Sequence, residues 1–256
     1  MLKNKIVIVT GGCSGIGWGI TKAATAAGAT VIACQRSLNG QERINSLAKL
    51  GFNAEFMPLD VSDPHAIGPF IEAVIEKYGR IDALVNNAGV TIEADFFNFP
   101  LDKLDMLWAT NQRSIFLLSQ AAARHMRKAG KGNILNISSN HSKGSVAGYE
   151  MYAGTKGAIS AMTRAMAWSL GPHGIRVNTL SPGLTMTEAV QKVAAEKPGL
   201  MKAFNDLHAT KEVSSVEDIA NIAVFMISDL AKALTGEDIV ADQGVAAQLC
   251  RTDQLK

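Results

Sequence analysis

The run Ile6-Val7-Ile8-Val9, followed by Thr10-Gly11-Gly12-Cys13-Ser14-Gly15-Ile16-Gly17, constrains this chain more than any other stretch. Consecutive β-branched residues without polar alternation read as a strand buried on both faces, the kind that parallel sheets contain. The Ala-rich segment from Ile16 to Ala27 reads as a helix ending at Gly28. A strand passing through glycines into a helix leaves backbone N–H groups free at the helix N-terminus. No side chains block approach, so the turn can seat a pyrophosphate. The spacing is GxxxGxG rather than GxGxxG, and Trp18 stands where a P-loop requires lysine, which excludes that motif.

The same alternation continues along the chain. Thr30–Cys34, Ala54–Leu59 and Ile81–Val85 read as strands, with helices over Gln41–Leu50 and from Pro64 to about Tyr78-Gly79 between them. Ser62-Asp63-Pro64 is a helix start, a cap followed by proline in the first turn. A helical stretch is expected over roughly Leu101–Met126, strands at Asn133–Ile137 and Ile175–Leu180, and a long helix over Met151–Leu170. Val216–Ser228 reads as helix and Asp238–Ala241 as a short last strand. Residues 187–212 are mixed in pattern, with Lys197-Pro198-Gly199 interrupting any helix, and read as a loop. Strands separated by helices mean βαβ units and a parallel sheet with right-handed crossovers. No linker or repeat divides the chain, so residues 1–256 are expected to form one α/β domain.

Composition excludes several other classes. Hydrophobic residues at 47% rule out a disordered chain, and a net charge of +2 without basic blocks argues against nucleic acid. Cys13, Cys34 and Cys250 are odd in number with no CxxC pair, so neither a disulfide framework nor a metal site is expected. Met1 to Lys5 lead directly into the first strand without a cleavable signal. No span of about 18 apolar residues follows, and the expected location is the cytoplasm, away from membranes.

At the tip of the second strand, where a dinucleotide's adenosine ribose should lie, the chain reads Cys34-Gln35-Arg36-Ser37. A carboxylate there would bind a 2′-hydroxyl; a guanidinium can pair with a 2′-phosphate and stack on adenine. Arg36 therefore favours NADP(H) over NAD(H). Asp60, at the tip of the third strand, can accept from the adenine amino group or cap the next helix.

Tyr152 and Lys156 lie four residues apart on one face of the long helix, about one turn from each other. Together with the glycine turn, Asp60-Val61, Asn86-Asn87-Ala88-Gly89, Asn111, Ser139 and Ser181-Pro182-Gly183 through Thr187, this pair resembles the short-chain dehydrogenase/reductase family. The motifs span residues 10–187 in the family's order, and Thr235-Gly236 resembles its C-terminal signature. The resemblance implies a Rossmann-like, three-layer, doubly wound fold with a seven-stranded parallel sheet.

By position it also implies that Gly11, Ser14, Gly15, Ile16 and Gly17 meet the cofactor phosphates. Arg36, Asp60 and Val61 would meet the adenosine half, and Asn87, Ala88 and Gly89 the inner ribose region. Pro182, Gly183, Thr185 and Thr187 would lie by the carboxamide, with Tyr152 and Lys156 at the nicotinamide ribose. Thr185, Gln112, Arg113 and Trp18 depart from the family's usual residues without touching its catalytic set.

A tyrosine working as an acid–base group at neutral pH needs about 3–4 kcal/mol of phenolate stabilisation. Lys156 can provide it as a neighbouring cation, so Tyr152 is the expected general acid in reduction and base in oxidation. Ser139 would hydrogen-bond the substrate oxygen, with Ser138 as its rival, and Asn111 would hold a water linking Lys156 to solvent. Glu93, Asn140 and His141 flank these residues as substrate-side candidates and, being polar, suit a sugar, polyol or oxo acid. A hydrophobic ketone, steroid or acyl-thioester stays open, since Leu200, Met201, Phe204 and Leu207 could form an apolar lid. Two other classes are a dinucleotide-sensing protein without catalysis and a nucleic-acid binder. The resemblance implies a homodimer or homotetramer.

Overall fold

A computed structural model describes residues 1–248, so Cys250 lies outside the described residues. Seven strands form one parallel sheet: β1 Ile6–Thr10, β2 Thr30–Gln35, β3 Ala54–Pro58, β4 Ala83–Asn86, β5 Gly132–Ile137, β6 Ile175–Pro182 and β7 Asp238–Ala241. Their order across the sheet is β3-β2-β1-β4-β5-β6-β7. From β1 the chain winds outward to β3, then returns to β4 on the other side. The strand order therefore reverses between β1 and β4, where the carboxyl ends of an open α/β sheet leave a crevice for ligands.

The β1 sequence explains the three layers. Successive side chains point to opposite faces of a strand, so Ile6 and Ile8 enter one core and Val7 and Val9 the other. The first core is closed by helix α3 (Pro64–Tyr78), α5 (Ser114–Ala129) and α6 (Glu150–Leu170), through Ile67, Ile71, Leu118, Ala122 and Ala167. The second is closed by α1 (Gly15–Ala26) and α9 (Val216–Ile227), through Ile20, Ala24, Ile219 and Val224. Helix α2 (Gly40–Lys49) adds a small cluster in which Ile44 and Leu47 pack against Cys13, Ala33 and Phe56.

The helical stretch expected over roughly Leu101–Met126 is α4 (Leu101–Trp108), a five-residue π-turn (Ala109–Arg113) and then α5. One sequence expectation is corrected. The expected loop at 187–212 contains two helices, α7 (Glu188–Glu196) and α8 (Leu200–Leu207), separated at the Lys197-Pro198-Gly199 break. A proline cannot donate its backbone hydrogen bond, and Gly199 has φ of 81°, so the chain stops one helix and starts another there. No helix among the described residues is long and apolar enough to cross a membrane.

Candidate active site

The glycine turn is held open by close backbone contacts. Gly11 has φ of 63° and Gly15 φ of 49°, both in the left-handed region that favours glycine. A Cβ on Gly17 would lie 2.2 Å from the Gly11 carbonyl oxygen, so no larger residue fits without moving the turn. Ser14 caps α1 from extended backbone, and its side chain makes no capping bond. The first N–H groups of α1 are thus left without a side-chain cap. This is the donor arrangement a pyrophosphate requires.

Asn87 stabilises this turn from β4. Its side-chain amide donates to the Thr10 carbonyl at 2.8 Å, and the Asn87 and Ala88 backbone N–H groups each donate to Thr10 Oγ1 at 3.0 Å. The Asn87 Nδ2 is thus committed to the turn. A groove of about 910 Å³ runs from this turn to the β2 and β3 tips, lined by Gly11, Ser14, Arg36, Asp60, Val61 and Gly89 among others. Arg36 is exposed on its rim, 4.0 Å from Asp60.

Asp60 does not cap α3. Its Oδ1 accepts from the backbone N–H and hydroxyl of Ser62 at 2.9 and 2.6 Å, while Asp63 is the α3 cap, accepting from the His65 N–H. Burial alone would push the Asp60 carboxyl up; Ser62 and Arg36 outweigh it and hold it below its ordinary value. Gly15 lies against Thr187, whose Cγ2 would be 3.4 Å from a Cβ there, so the glycine turn and the start of α7 adjoin. Thr187 Oγ1 caps α7, accepting from Val190 N–H at 3.4 Å. Thr185 Oγ1 donates to the Gly183 carbonyl at 3.0 Å, just past Pro182 at the end of β6.

Lys156 is buried, and its ammonium donates to the Ile137 carbonyl at 3.0 Å. The same nitrogen lies 5.6 Å from the centre of the Tyr152 ring. Burial lowers the Lys156 pKa to about 8, so an adjacent negative charge is needed to keep it firmly protonated. Ser138 and Ser139 divide clearly. Ser138 Oγ donates to the Lys156 carbonyl at 2.9 Å and is buried beneath α6, whereas Ser139 Oγ accepts from the His141 N–H at 3.2 Å.

Asn111 sits in the π-turn with its side chain fully engaged. Its Oδ1 accepts from Val90 N–H and its Nδ2 donates to the Val90 carbonyl, both at 2.8 Å, with a further bond to Thr155 Oγ1 at 3.2 Å. Asn111 therefore clamps the segment after β4 to the helix that carries Tyr152. A Cβ on Gly89 would meet Asn111 Oδ1 at 3.3 Å and Lys156 Nζ at 3.7 Å, which draws the Asn-Asn-Ala-Gly motif into the same site.

Beneath these residues runs a polar chain of which the sequence singled out only Asn86. Asn86 donates to Ser119 Oγ at 3.0 Å and to Asn136 Oδ1 at 2.9 Å; Asn136 and Thr179 each donate to Thr163 Oγ1 at 2.9 Å. It ties α5 and α6 to three adjacent strands. Its only sequence trace is polar residues within runs otherwise apolar at Ala83–Asn86 and Asn133–Ile137.

A model of the family described as "Enoyl-(Acyl carrier protein) reductase" matches residues 11–246. The chain belongs to the short-chain dehydrogenase/reductase family. Carbonyl reductase [NADPH] 2 from Sus scrofa is 34% identical over 241 residues, covering 94% of this chain and 96% of the relative. L-xylulose reductase from Bos taurus is 34% identical, covering 96% of this chain and 98% of the relative. A solved structure of a gluconate 5-dehydrogenase from Burkholderia cenocepacia, in complex with NADP and tartrate, aligns with a TM-score of 0.91 at 27% identity, covering 97% of each chain. As a short-chain dehydrogenase/reductase, the protein is a nicotinamide-dependent oxidoreductase with a Rossmann-like sheet.

Proposed function

We propose that the protein interconverts a secondary alcohol and the matching ketone or aldehyde of a small hydroxylated compound, a sugar, polyol or oxo acid, with Tyr152 as general acid–base. The observation that carries this reading is the placement of a buried ammonium, Lys156, beside the Tyr152 ring. A nicotinamide dinucleotide, when bound, supplies or takes up the hydride. Tyr152 gives its phenolic proton to the developing alkoxide in reduction and takes one from the alcohol in oxidation. Lys156 stabilises the phenolate, and burial strengthens that attraction. Ser139 holds the substrate oxygen at the end of β5, the role left to it because Ser138 is committed to α6.

Asn111 acts here as a positioning residue. Because its side chain is engaged with Val90 and Thr155, a water relaying protons from Lys156 would meet its backbone carbonyl in the π-turn. The glycine turn and Ser14 fit the pyrophosphate, and Arg36 favours NADP(H), as do the NADPH in one relative's name and the NADP bound to one neighbour. A homodimer or homotetramer belongs to the same reading; Phe116 on α5 and Trp168 on α6 are large, apolar and exposed.

The test follows nicotinamide absorbance with both cofactors across a panel of alcohols and carbonyls, with sedimentation for the assembly. Cofactor-dependent turnover of hydroxylated compounds, fastest with NADP(H), is expected. Turnover confined to steroids or acyl-thioesters would overturn the substrate class, and no turnover of any member would overturn the reading.

A further inference from the structure

We propose that Glu93 is a specificity-determining residue that selects uncharged polyhydroxylated substrates, polyols and ketoses, against their carboxylate-bearing counterparts. The inference rests on the oxidoreductase reading and narrows its substrate class.

Three rings meet at the mouth of the site. The His141 ring centre lies 5.2 Å from that of Tyr149 and 5.4 Å from that of Tyr152, and the two tyrosine rings are 6.3 Å apart. Tyr149 donates its hydroxyl to Glu93 Oε2 at 2.9 Å. This bond, followed by burial, raises the Tyr149 pKa and keeps it a neutral donor. The backbone locks the same contact: Ala94 N–H donates to the Gly148 carbonyl at 3.0 Å, and a Cβ on Gly148 would lie 3.1 Å from Glu93 Cγ. Glu93 is an exposed carboxylate, yet it is tied to the catalytic ring cluster instead of extending into solvent.

The other groups of this wall supply no compensating cation. Burial lowers the His141 pKa, so the imidazole is neutral at pH 7. Its Nδ1 meets Ser145 Oγ at 2.9 Å, which leaves Nε2 for a ligand. Asn140 donates to Asp242 Oδ2 at 3.2 Å, and Lys143 pairs with Asp238 at 2.9 Å. Glu150, the next acidic group, accepts from Gly148 N–H at 3.1 Å. Lys156 is engaged with Ile137 and Tyr152 at the reacting end. A substrate whose far end carries hydroxyls can donate to Glu93 Oε1. One whose far end carries a carboxylate meets like charge, with no cation in return.

The experiment compares pairs that differ only in a terminal CH2OH against a carboxylate, xylitol with xylonate and glucitol with gluconate, by kcat/KM in the oxidation direction for wild type, Glu93→Gln and Glu93→Lys. Diacetyl reduction, which involves neither hydroxyls nor a carboxylate, reports the hydride machinery in each variant. Wild type is expected to prefer the neutral member at least tenfold. Glu93→Gln, which keeps an acceptor for Tyr149, should cut that preference about tenfold, and Glu93→Lys should invert it. Added salt should narrow the wild-type preference and leave that of Glu93→Gln flat.

Equal or better use of the acid anion by wild type, or an unchanged preference in Glu93→Gln, would overturn the proposal. Diacetyl turnover with neither pair oxidised would overturn it too, while leaving the oxidoreductase reading intact. Loss of all turnover, diacetyl included, in wild type would bring down that underlying reading.

Discussion

Arg43 on α2 grips Glu188 at the start of α7, its Nη2 lying 2.7 Å from Oε1 and 2.6 Å from Oε2. The two residues are 145 apart in sequence and both line the groove that runs past the glycine turn. The guanidinium also lies 5.8 Å from the Trp18 ring, directly after the glycine turn, which gives that unusual tryptophan a use. The bridge thus joins α2 to the helix that follows Thr187.

Exposed ion pairs contribute only ~0–1 kcal/mol to folding, so the bridge should matter for cofactor retention more than for stability. Arg43→Ala and Glu188→Ala are each expected to weaken NADPH binding by roughly 3–10-fold and to shift Tm little. The double variant should be no worse than either single one, because one shared interaction is removed. Fluorescence titration of NADPH with all three variants measures the coupling; strict additivity would show that the bridge does not act as a unit.

Tyr152→Phe removes one hydroxyl and keeps the ring that packs with His141 and Tyr149. Turnover should fall by ~10²–10⁴-fold, the range for a lost acid–base group. NADPH affinity and Tm should stay near wild type. Retained turnover in this variant would place the proton transfer on another group.

Arg36 stands exposed at the groove rim with Asp60 4.0 Å away. Arg36→Asp should lower kcat/KM for NADPH by roughly 10–100-fold, matching the loss of a charge-assisted bond to phosphate. The same change should raise use of NADH, since a carboxylate suits a 2′-hydroxyl. Parallel assays with the two cofactors decide it, and an unchanged ratio would remove Arg36 from cofactor choice.

Asp238 on β7 is half-buried between Ser181 Oγ at 2.6 Å and Lys143 Nζ at 2.9 Å. Burial alone would push its carboxyl up, but Ser181, Lys143 and Ser160 outweigh this and hold it below the ordinary value. The unfolded chain, with its carboxyl near about 4, therefore takes up this proton first as pH falls. The stabilisation is present above that pH and disappears as pH drops through the lower folded value. Asp238→Asn should cost roughly 1–3 kcal/mol at pH 7. The gap from wild type in urea melts should close below about pH 4.

Local pattern was enough for the sheet. Runs such as Ile6–Val9 and Thr30–Cys34 are buried on both faces, so burial itself wrote them as continuous apolar segments, and their strands lie where the pattern put them. The Lys197-Pro198-Gly199 break was also legible, as proline and glycine act through their own backbones. The helices on either side of it were not. Helix α8 does carry an apolar stripe at Leu200, Met201, Phe204 and Leu207, but it is only eight residues long and buries none of them fully, so the sheet core does not fix it. The π-turn at Ala109–Arg113 left no local mark either. It holds Asn111 against Val90 and Thr155, and it is the tertiary clamp that selects it.

The glycine turn, the four-residue step from Tyr152 to Lys156 and the charge of Arg36 are all written locally, because each depends on one backbone conformation or one side-chain type. What Ser138, Asn87, Glu93 and Arg43 do emerges from folding alone. Each side chain is polar and ordinary in its own segment. Its role comes from a partner 18 to 145 residues away, and a chain carries no local signal of which distant atoms its folding will bring within hydrogen-bond reach.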